Sequence, residues 1–310
     1  MLNIYEAADA NKRKSAVVVI LFTAFVAMAV YFMASGMSVY YGYEAGGLGI
    51  AGIALIISGL VSFFGYYFSD RIVLSISRAR PASRKKDFLL YTVVENMAIG
   101  AGIPKPKLYV IEDSAPNAFA TGRDPEHAVV CATTGLLDKL TRTELEGVVA
   151  HEISHIRNYD IRLMSLVSVM VGSIALLSDI FLRARFFGGR RRNNNNNQIG
   201  ALIMLVGIIF AILSPIIANL IKLAISRRRE FLADTGSVAI TRQPSGLISA
   251  LKKISADKEP LEVANKATAH LYISNPFKGK KGFGAVGTFS KLFNTHPPVG
   301  ERIGQLKKMS

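Results

Sequence analysis

The segment His151-Glu-Ile-Ser-His155 sets two imidazoles four positions apart with a carboxylate beside the first. On a helix, positions i and i+4 stack on one face, so both rings can reach one ion. Glu152 then stands one step round the helix, next to any coordination position left open. This is the HExxH pattern, in which imidazole nitrogens suit zinc and the glutamate acts as general base. A hydrolytic zinc centre needs a third protein ligand and one position for water. Glu230-Phe-Leu-Ala-Asp234 offers two acids on one face of a predicted helix. Glu230 is the candidate third ligand. Asp234 is the candidate acceptor for the free ring N–H of a ligand histidine, which would fix its tautomer. Read differently, both acids merely neutralise Arg227, Arg228 and Arg229. Asp160, just past the motif, reads equally as a support for a ligand or as a solvated acid at a helix end. His127 and His270 sit in no ligand-like pattern.

One zinc ion per chain would acidify water and polarise a scissile carbonyl. Glu152 would take the proton and pass it to the leaving amine. The oxyanion then needs another donor. Asn294-Thr-His-Pro-Pro-Val-Gly-Glu-Arg302 supplies candidates in His296 and Arg302, with Pro297 and Pro298 stiffening the chain beside the histidine. Taken alone, His-Pro-Pro is more often a turn.

These residues need a scaffold. Thr141-Arg-Thr-Glu144 is a capping box, so a helix starts near residue 142 and carries the HExxH motif. Phe88 to Ala101 reads as a helix closed by Gly102 and Pro104. Lys107–Ile111 and Ala128–Ala132 read as strands, and Asn117–Ala120 as a short edge strand.

The 310 residues are half hydrophobic with mean hydropathy +0.32, which excludes a disordered chain and argues against a purely cytosolic enzyme. Lys and Arg number 37 against 22 acids, a net charge of +15. Cys131 stands alone, so it forms no internal disulfide and no thiolate metal site. Two uncharged apolar runs, Ala16–Met37 and Gly46–Ser69, are long enough to cross a bilayer. Bases flank the pair (Lys12, Arg13 and Lys14 before it; Arg71, Arg78, Arg80, Arg84, Lys85 and Lys86 after it), and the turn between them has none. By the positive-inside rule both flanks are cytoplasmic. Two further apolar segments, Leu163–Leu182 and Ile199–Ile225, are joined by a linker with five arginines and five consecutive asparagines. Two full spans would put those arginines outside, whereas a hairpin that enters without crossing keeps them inside. The chain thus divides into an N-terminal transmembrane hairpin (1–69), a first catalytic part with HExxH (70–160), a second hydrophobic hairpin (161–225, linker 183–197) and a second catalytic part (226–310). The bases lie beside apolar spans, which suits anionic headgroups of the lipid bilayer and not nucleic acid.

The N-terminal spans, HEISH at 151–155, the later hairpin, EFLAD at 230–234 and THPPVGER at 295–302 together resemble the HtpX membrane metalloproteases, relatives of the CAAX prenyl endoproteases. The resemblance implies an α-helical membrane protein with an α+β zincin-type metalloprotease domain, its HExxH on a helix and its small sheet ending in a substrate-pairing edge strand. It implies a zinc endopeptidase of the bacterial inner membrane, multi-pass, with its active site facing the cytoplasm. The implied substrates are misfolded or damaged membrane proteins and unfolded polypeptides, cleaved in quality control and stress response. His151, His155 and Glu230 match the family's zinc ligands, Glu152 its catalytic glutamate and Asp234 its supporting acid. Asn117, Ala118 and Phe119 match its substrate-pairing segment. His296 and Arg302 match positions that contact substrate or transition state. Two other readings remain: a CAAX-type processing protease, and a non-proteolytic membrane scaffold or transporter with structural zinc. Three good ligands instead of four favour an open, catalytic site.

Overall fold

The computed structural model describes residues 4–40, 47–173, 227–264, 267–277 and 297–309. The fourth apolar segment, the 183–197 linker and His296 lie outside the described residues, as does the choice between the two hairpin arrangements.

The first apolar run lies within helix α1 (Ile4–Tyr40) and the second forms α2 (Leu48–Tyr67). Both contain stretches long and apolar enough to cross a membrane, by length and composition. Leu55, Ile56, Leu60, Phe63 and Phe64 of α2 point outward. Its other face is small and buried, with Ala54, Ser58, Ser62 and Gly65. Small residues let helix backbones approach closely. Thr23 and Ser62 share a 2.7 Å hydrogen bond between the two helices. After α2 come α3 (Ser69–Ile76) and the two-residue strand β1 (Arg80–Pro81).

Helix α4 (Phe88–Ala101) ends at Gly102, whose φ of 67° is a left-handed cap that favours glycine. The sheet is built from β1, β2 (Lys107–Ile111), β3 (Ala118–Thr121) and β4 (Val129–Thr133) in the order β1-β2-β4-β3. β2 and β4 are parallel; the two outer pairings are antiparallel. Alternation assigns each side chain to a face. Val110, Ala118, Ala120, Val130 and Ala132 pack with α4 and the helices behind it. Ile111, Phe119 and Cys131 pack on the opposite face with Val73, Leu271 and Tyr272. The mixed sheet is small, most of the described chain is helical, and β3 is an edge. The two later strands begin one residue beyond their sequence-based positions. Asn117 spends its side chain on the neighbouring 274 backbone, and Ala128 accepts from Lys107 in the turn.

A short helix α5 (Thr134–Lys139) leads to α6 (Arg142–Arg157), which starts where its capping box predicts. Thr141 accepts from the Glu144 N–H, and the Thr141 N–H donates to the Glu144 carboxylate at 2.8 Å. A further helix, α7, covers residues 160–173 as far as it is described. Then come α8 (Arg227–Thr241), α9 (Pro244–Ala256) and α10 (Val299–Lys307). Leu247, Leu251 and Leu306 from these late helices share one core with Leu90, Val93, Leu145 and Val148.

Glu144 also ties α9 to α6. Burial alone would raise its pKa, but Lys253, Ser249 and Thr141 hold it at about 2 against an ordinary 4.5. A lowered folded pKa gives stability that is present above the unfolded value and lost as pH falls through the folded one. Wild-type stability is therefore expected to decline from about pH 4.5 down toward about pH 2, and Glu144→Gln to lack that share of the slope. Thr141→Ala should cost about 1 kcal/mol at neutral pH. Thermal melts in detergent across this pH range check both.

Candidate metal centre

Three helices distant in sequence meet around the HExxH motif. α6 contributes His151, Glu152 and His155, which are 1%, 2% and 3% exposed. α8 contributes Glu230 and Asp234, also buried. It can approach closely because Gly236 faces Ser154 of α6, leaving no room there for a Cβ. The Ser237 hydroxyl donates to the Gly147 carbonyl at 2.8 Å and pins the two helices together. α10 contributes Arg302, fully buried.

Donor atoms of His151, His155 and Glu230 lie within 4.8 Å of one another. The Nε2 atoms of the two histidines are 3.2 Å apart, and Glu230 oxygens are 3.8 Å and 3.5 Å from them. The opposite nitrogens face carboxylates: His151 Nδ1 stands 3.0 Å from Asp234 Oδ1, and His155 Nδ1 stands 2.9 Å from Asp160 Oδ2. A ring N–H belongs on the side facing a carboxylate, so that partner sets the tautomer. Each neutral ring then turns its Nε2 lone pair toward the other. Two lone pairs at that distance repel unless a metal cation, or a proton shared between the rings, lies between them. The charges agree. Glu152, Asp160, Glu230 and Asp234 bring four buried carboxylates, and Arg229 and Arg302 bring two buried guanidinium groups. Two negative charges are left over, which a divalent cation balances.

The two imidazoles differ electrostatically. Burial, reinforced by Arg302, pushes His151 down to about 4. Burial also opposes charge on His155, but Asp160 and Glu230 outweigh it and push the ring up to about 9. The carboxylates that favour a proton at His155 favour a metal cation for the same reason. Asp234 stays below the usual carboxylate range despite its burial, because Arg302 grips it. Arg302 donates from Nε to Oδ2 at 2.9 Å and from Nη2 to Oδ1 at 2.6 Å, a bidentate pair. Its Nη1 lies 3.7 Å from Glu230.

The sequence-derived residues therefore fall into groups. His151, His155, Glu152, Glu230, Asp234 and Arg302 come together. Asn117, Ala118 and Phe119 lie at the sheet edge. The register puts Asn117 opposite Thr133 in a hydrogen-bonded pair, so the backbone groups of Ala118 and Ala120 point away from β4. The Ala118 carbonyl accepts from the Ile273 N–H at 3.0 Å, and Asn117 holds Ser274 on both its N–H and its carbonyl. Phe119 packs edge-on against Tyr272. Half of the edge is thus occupied by the chain's own 272–274 segment. His270 is buried against Ser168 and the Met164 carbonyl, away from the α6 histidines' partners. Asp124, Glu126 and His127 form a second acid and histidine cluster, but Glu126 and His127 are exposed and Asp124 caps the turn that holds them. The sequence reading left Asp160 open between a ligand support and a solvated acid, and it missed Asn11. Asp160 was legible as an acid five positions past His155 but not as a buried one. Asn11, on α1, carried no signal at all.

Residues 84–310 match Peptidase family M48. The chain is 46% identical over 309 residues to a protein named Protease HtpX homolog from Thermoanaerobacter pseudethanolicus, covering 99% of this chain and 98% of that one. It is 44% identical to the Protease HtpX homologs of Dictyoglomus thermophilum, with 98% and 94% covered, and of Listeria monocytogenes serotype 4a, with 99% and 100% covered. Among solved structures, the crystal structure of S. mikatae Ste24p aligns with TM-score 0.49 and 16% identity, over 96% of this chain and 66% of that chain.

Removing Arg302 strands the Asp234 carboxylate in a dry site. Arg302→Leu is expected to cost about 3–5 kcal/mol. Arg302→Lys should lose less, because it keeps the charge and gives up only the bidentate fork. Denaturant melts of the detergent-solubilised variants measure both.

Proposed function

This chain belongs to peptidase family M48, and on that premise we propose that it is a zinc endopeptidase of the bacterial cytoplasmic membrane whose metal is held by His151, His155 and Glu230. It is a metalloendopeptidase by family. The observation that carries the zinc assignment is the pair of facing Nε2 atoms, each backed by a carboxylate on the other side of its ring. Tetrahedral zinc with bonds of about 2.0 Å sets its ligand atoms about 3.3 Å apart. The histidine nitrogens here are 3.2 Å apart, close to that value, and the Glu230 carboxylate closes the triangle with Oε1 at 3.5 Å from His155 and Oε2 at 3.8 Å from His151. Two nitrogens and one carboxylate oxygen suit zinc, and among the described residues no fourth ligand closes the site.

When bound, zinc supplies Lewis acidity that lowers the pKa of water and polarises the scissile carbonyl. Glu152 accepts the proton of the attacking water and delivers it to the leaving amine. Asp234 and Asp160 orient the two imidazoles and raise their basicity. Arg302 fixes Asp234, its Nη2 lies beside the His151 ring and its Nη1 faces Glu230 at 3.7 Å, so it orders the centre from the α10 side. His296 completes the set as a donor to the oxyanion. The substrate backbone adds to the outer edge of β3, where Ala120 presents its N–H and carbonyl away from β4; β3 is buried, so that pairing requires the chain covering it to move aside. A backbone-to-backbone grip of this kind accepts many sequences, which suits unfolded polypeptide and damaged membrane proteins.

α1 and α2 anchor the enzyme in the bilayer. The bases at both flanks of this hairpin support a cytoplasmic position for the catalytic residues.

Glu152→Gln is expected to keep about one zinc per chain while cleaving casein about 10²–10⁴-fold more slowly. Glu230→Gln is expected to lose both zinc and activity. Metal analysis and a fluorogenic casein assay on the same preparations decide the matter. Undiminished cleavage by Glu152→Gln, or full zinc content in Glu230→Gln, would overturn the assignment.

A further inference from the structure

The N-terminal helix does more than cross the membrane. Asn11 of α1 is buried, 3% exposed, and its side-chain amide is fully used. Nδ2 donates to the Asn158 carbonyl at 2.9 Å and to Asp160 Oδ1 at 2.7 Å. Oδ1 faces Arg229 Nη1 at 3.5 Å. Two acceptors on one side and a guanidinium on the other fix which amide atom is nitrogen. The second oxygen of Asp160 is the one that meets His155 Nδ1. An unbroken relay therefore runs from α1 through Asn11 and Asp160 to His155. It spans 149 positions of sequence in its first step.

The rest of α1 holds Asn11 in register. The Ser15 hydroxyl donates to the Asn11 carbonyl at 2.8 Å. Lys12 stands 4.4 Å above the Tyr159 ring. Two and three turns beyond Asn11, Val18 and Phe22 pack on Leu163, Val167 and Met170 of α7. Tyr159 itself takes a left-handed φ of 58°, which turns the chain sharply between α6 and α7 and aims Asp160 back at His155. Only a primary amide fits this position. Alanine or leucine would leave an Asp160 oxygen and the Asn158 carbonyl without their donor. Aspartate would set one carboxylate against another.

We propose that Asn11 is a positioning residue of the metal centre: by holding Asp160 it fixes the orientation of His155, so the first membrane helix is a working part of the zinc site. The inference rests on the zinc assignment above and adds a helix that the HExxH chemistry does not call for. Carboxylates that support a ligand histidine typically govern metal affinity by 10–100-fold. Asp160→Asn should weaken zinc by that order. Asn11→Ala acts one bond further out and should weaken it by about 5-fold.

The test uses the full-length chain in detergent. Zinc affinity is measured by chelator competition, and the cobalt-substituted protein gives a visible absorption spectrum that reports ligand geometry. Asn11→Ala and Asn11→Asp are both expected to lower affinity and shift the cobalt bands. In the Asp160→Asn background, Asn11→Ala should add nothing further, since it acts through that carboxylate. Val18→Ala loosens the apolar part of the same contact; it should lower the melting temperature while keeping wild-type affinity and spectrum. Wild-type affinity and spectrum in both folded Asn11 variants would overturn the inference. So would an additive double variant, or an equal loss in Val18→Ala. Failure of the underlying zinc assignment looks different: wild type itself would bind no zinc, or His155→Ala would bind it unchanged.

Discussion

Two imidazole nitrogens turned toward each other at 3.2 Å, inside a shell of four carboxylates and two guanidinium groups, form the constraint around which this protein is organised. Burying so many charges is costly unless each meets a counter-charge or a hydrogen bond. The protein meets most of that need with its own groups: Arg302 on Asp234, and Arg229 near Asp160. What remains is a negative, nitrogen-lined gap suited to a divalent cation. The burial that makes the cluster costly without a cation also strengthens its hold on one, because attraction is far stronger away from water.

Three helices have to be held at fixed spacing for that gap to exist. α6 supplies the pair of histidines through helical periodicity alone. Glu230 and Asp234 arrive from α8, on the far side of a long hydrophobic insertion, and Arg302 arrives from α10. The close packing of Gly236 on Ser154 and the Ser237 bond to Gly147 set the distance between α6 and α8. The shared core of Leu247, Leu251 and Leu306 with Leu145 and Val148 sets the others. Close-packed interiors of this kind transmit small displacements, so the spacing is rigid.

The sheet serves a different purpose. Its central strand is buried on both faces, and its edge strand β3 carries backbone groups away from the sheet beside α6. The chain's own 272–274 segment takes the Ala118 end of that edge, and the Ser165 hydroxyl takes the Gly122 N–H at the other. Between them Ala120 turns its backbone N–H and carbonyl away from β4, although its side chain is buried. A narrow edge of this sort also guards against unwanted pairing between molecules.

The chemistry was legible in the sequence because it is local. HExxH needs only helical periodicity, and the capping box of Thr141 and Glu144 announces that helix within four residues. The acids of EFLAD share a helix face by the same rule, and the two long apolar runs declare themselves by length. The helix at 88–101 and strands β2, β3 and β4 likewise follow from short-range patterns, to within a residue, whereas β1 carried no such pattern. What required the tertiary structure is every relation between distant segments. No spacing rule says that Asp160 is buried instead of solvated, because burial depends on what packs against the turn at Tyr159. No pattern marks Asn11, since an isolated asparagine beside three bases reads as the polar start of a membrane helix. Its partner Asp160 lies 149 residues away, and only the docking of α1 on α7 brings them together. Arg302 was visible as a candidate, but its bidentate grip on Asp234 depends on how α10 docks. Local periodicity thus determines which groups are offered, while packing between elements decides which of them meet, and a metal centre depends on both.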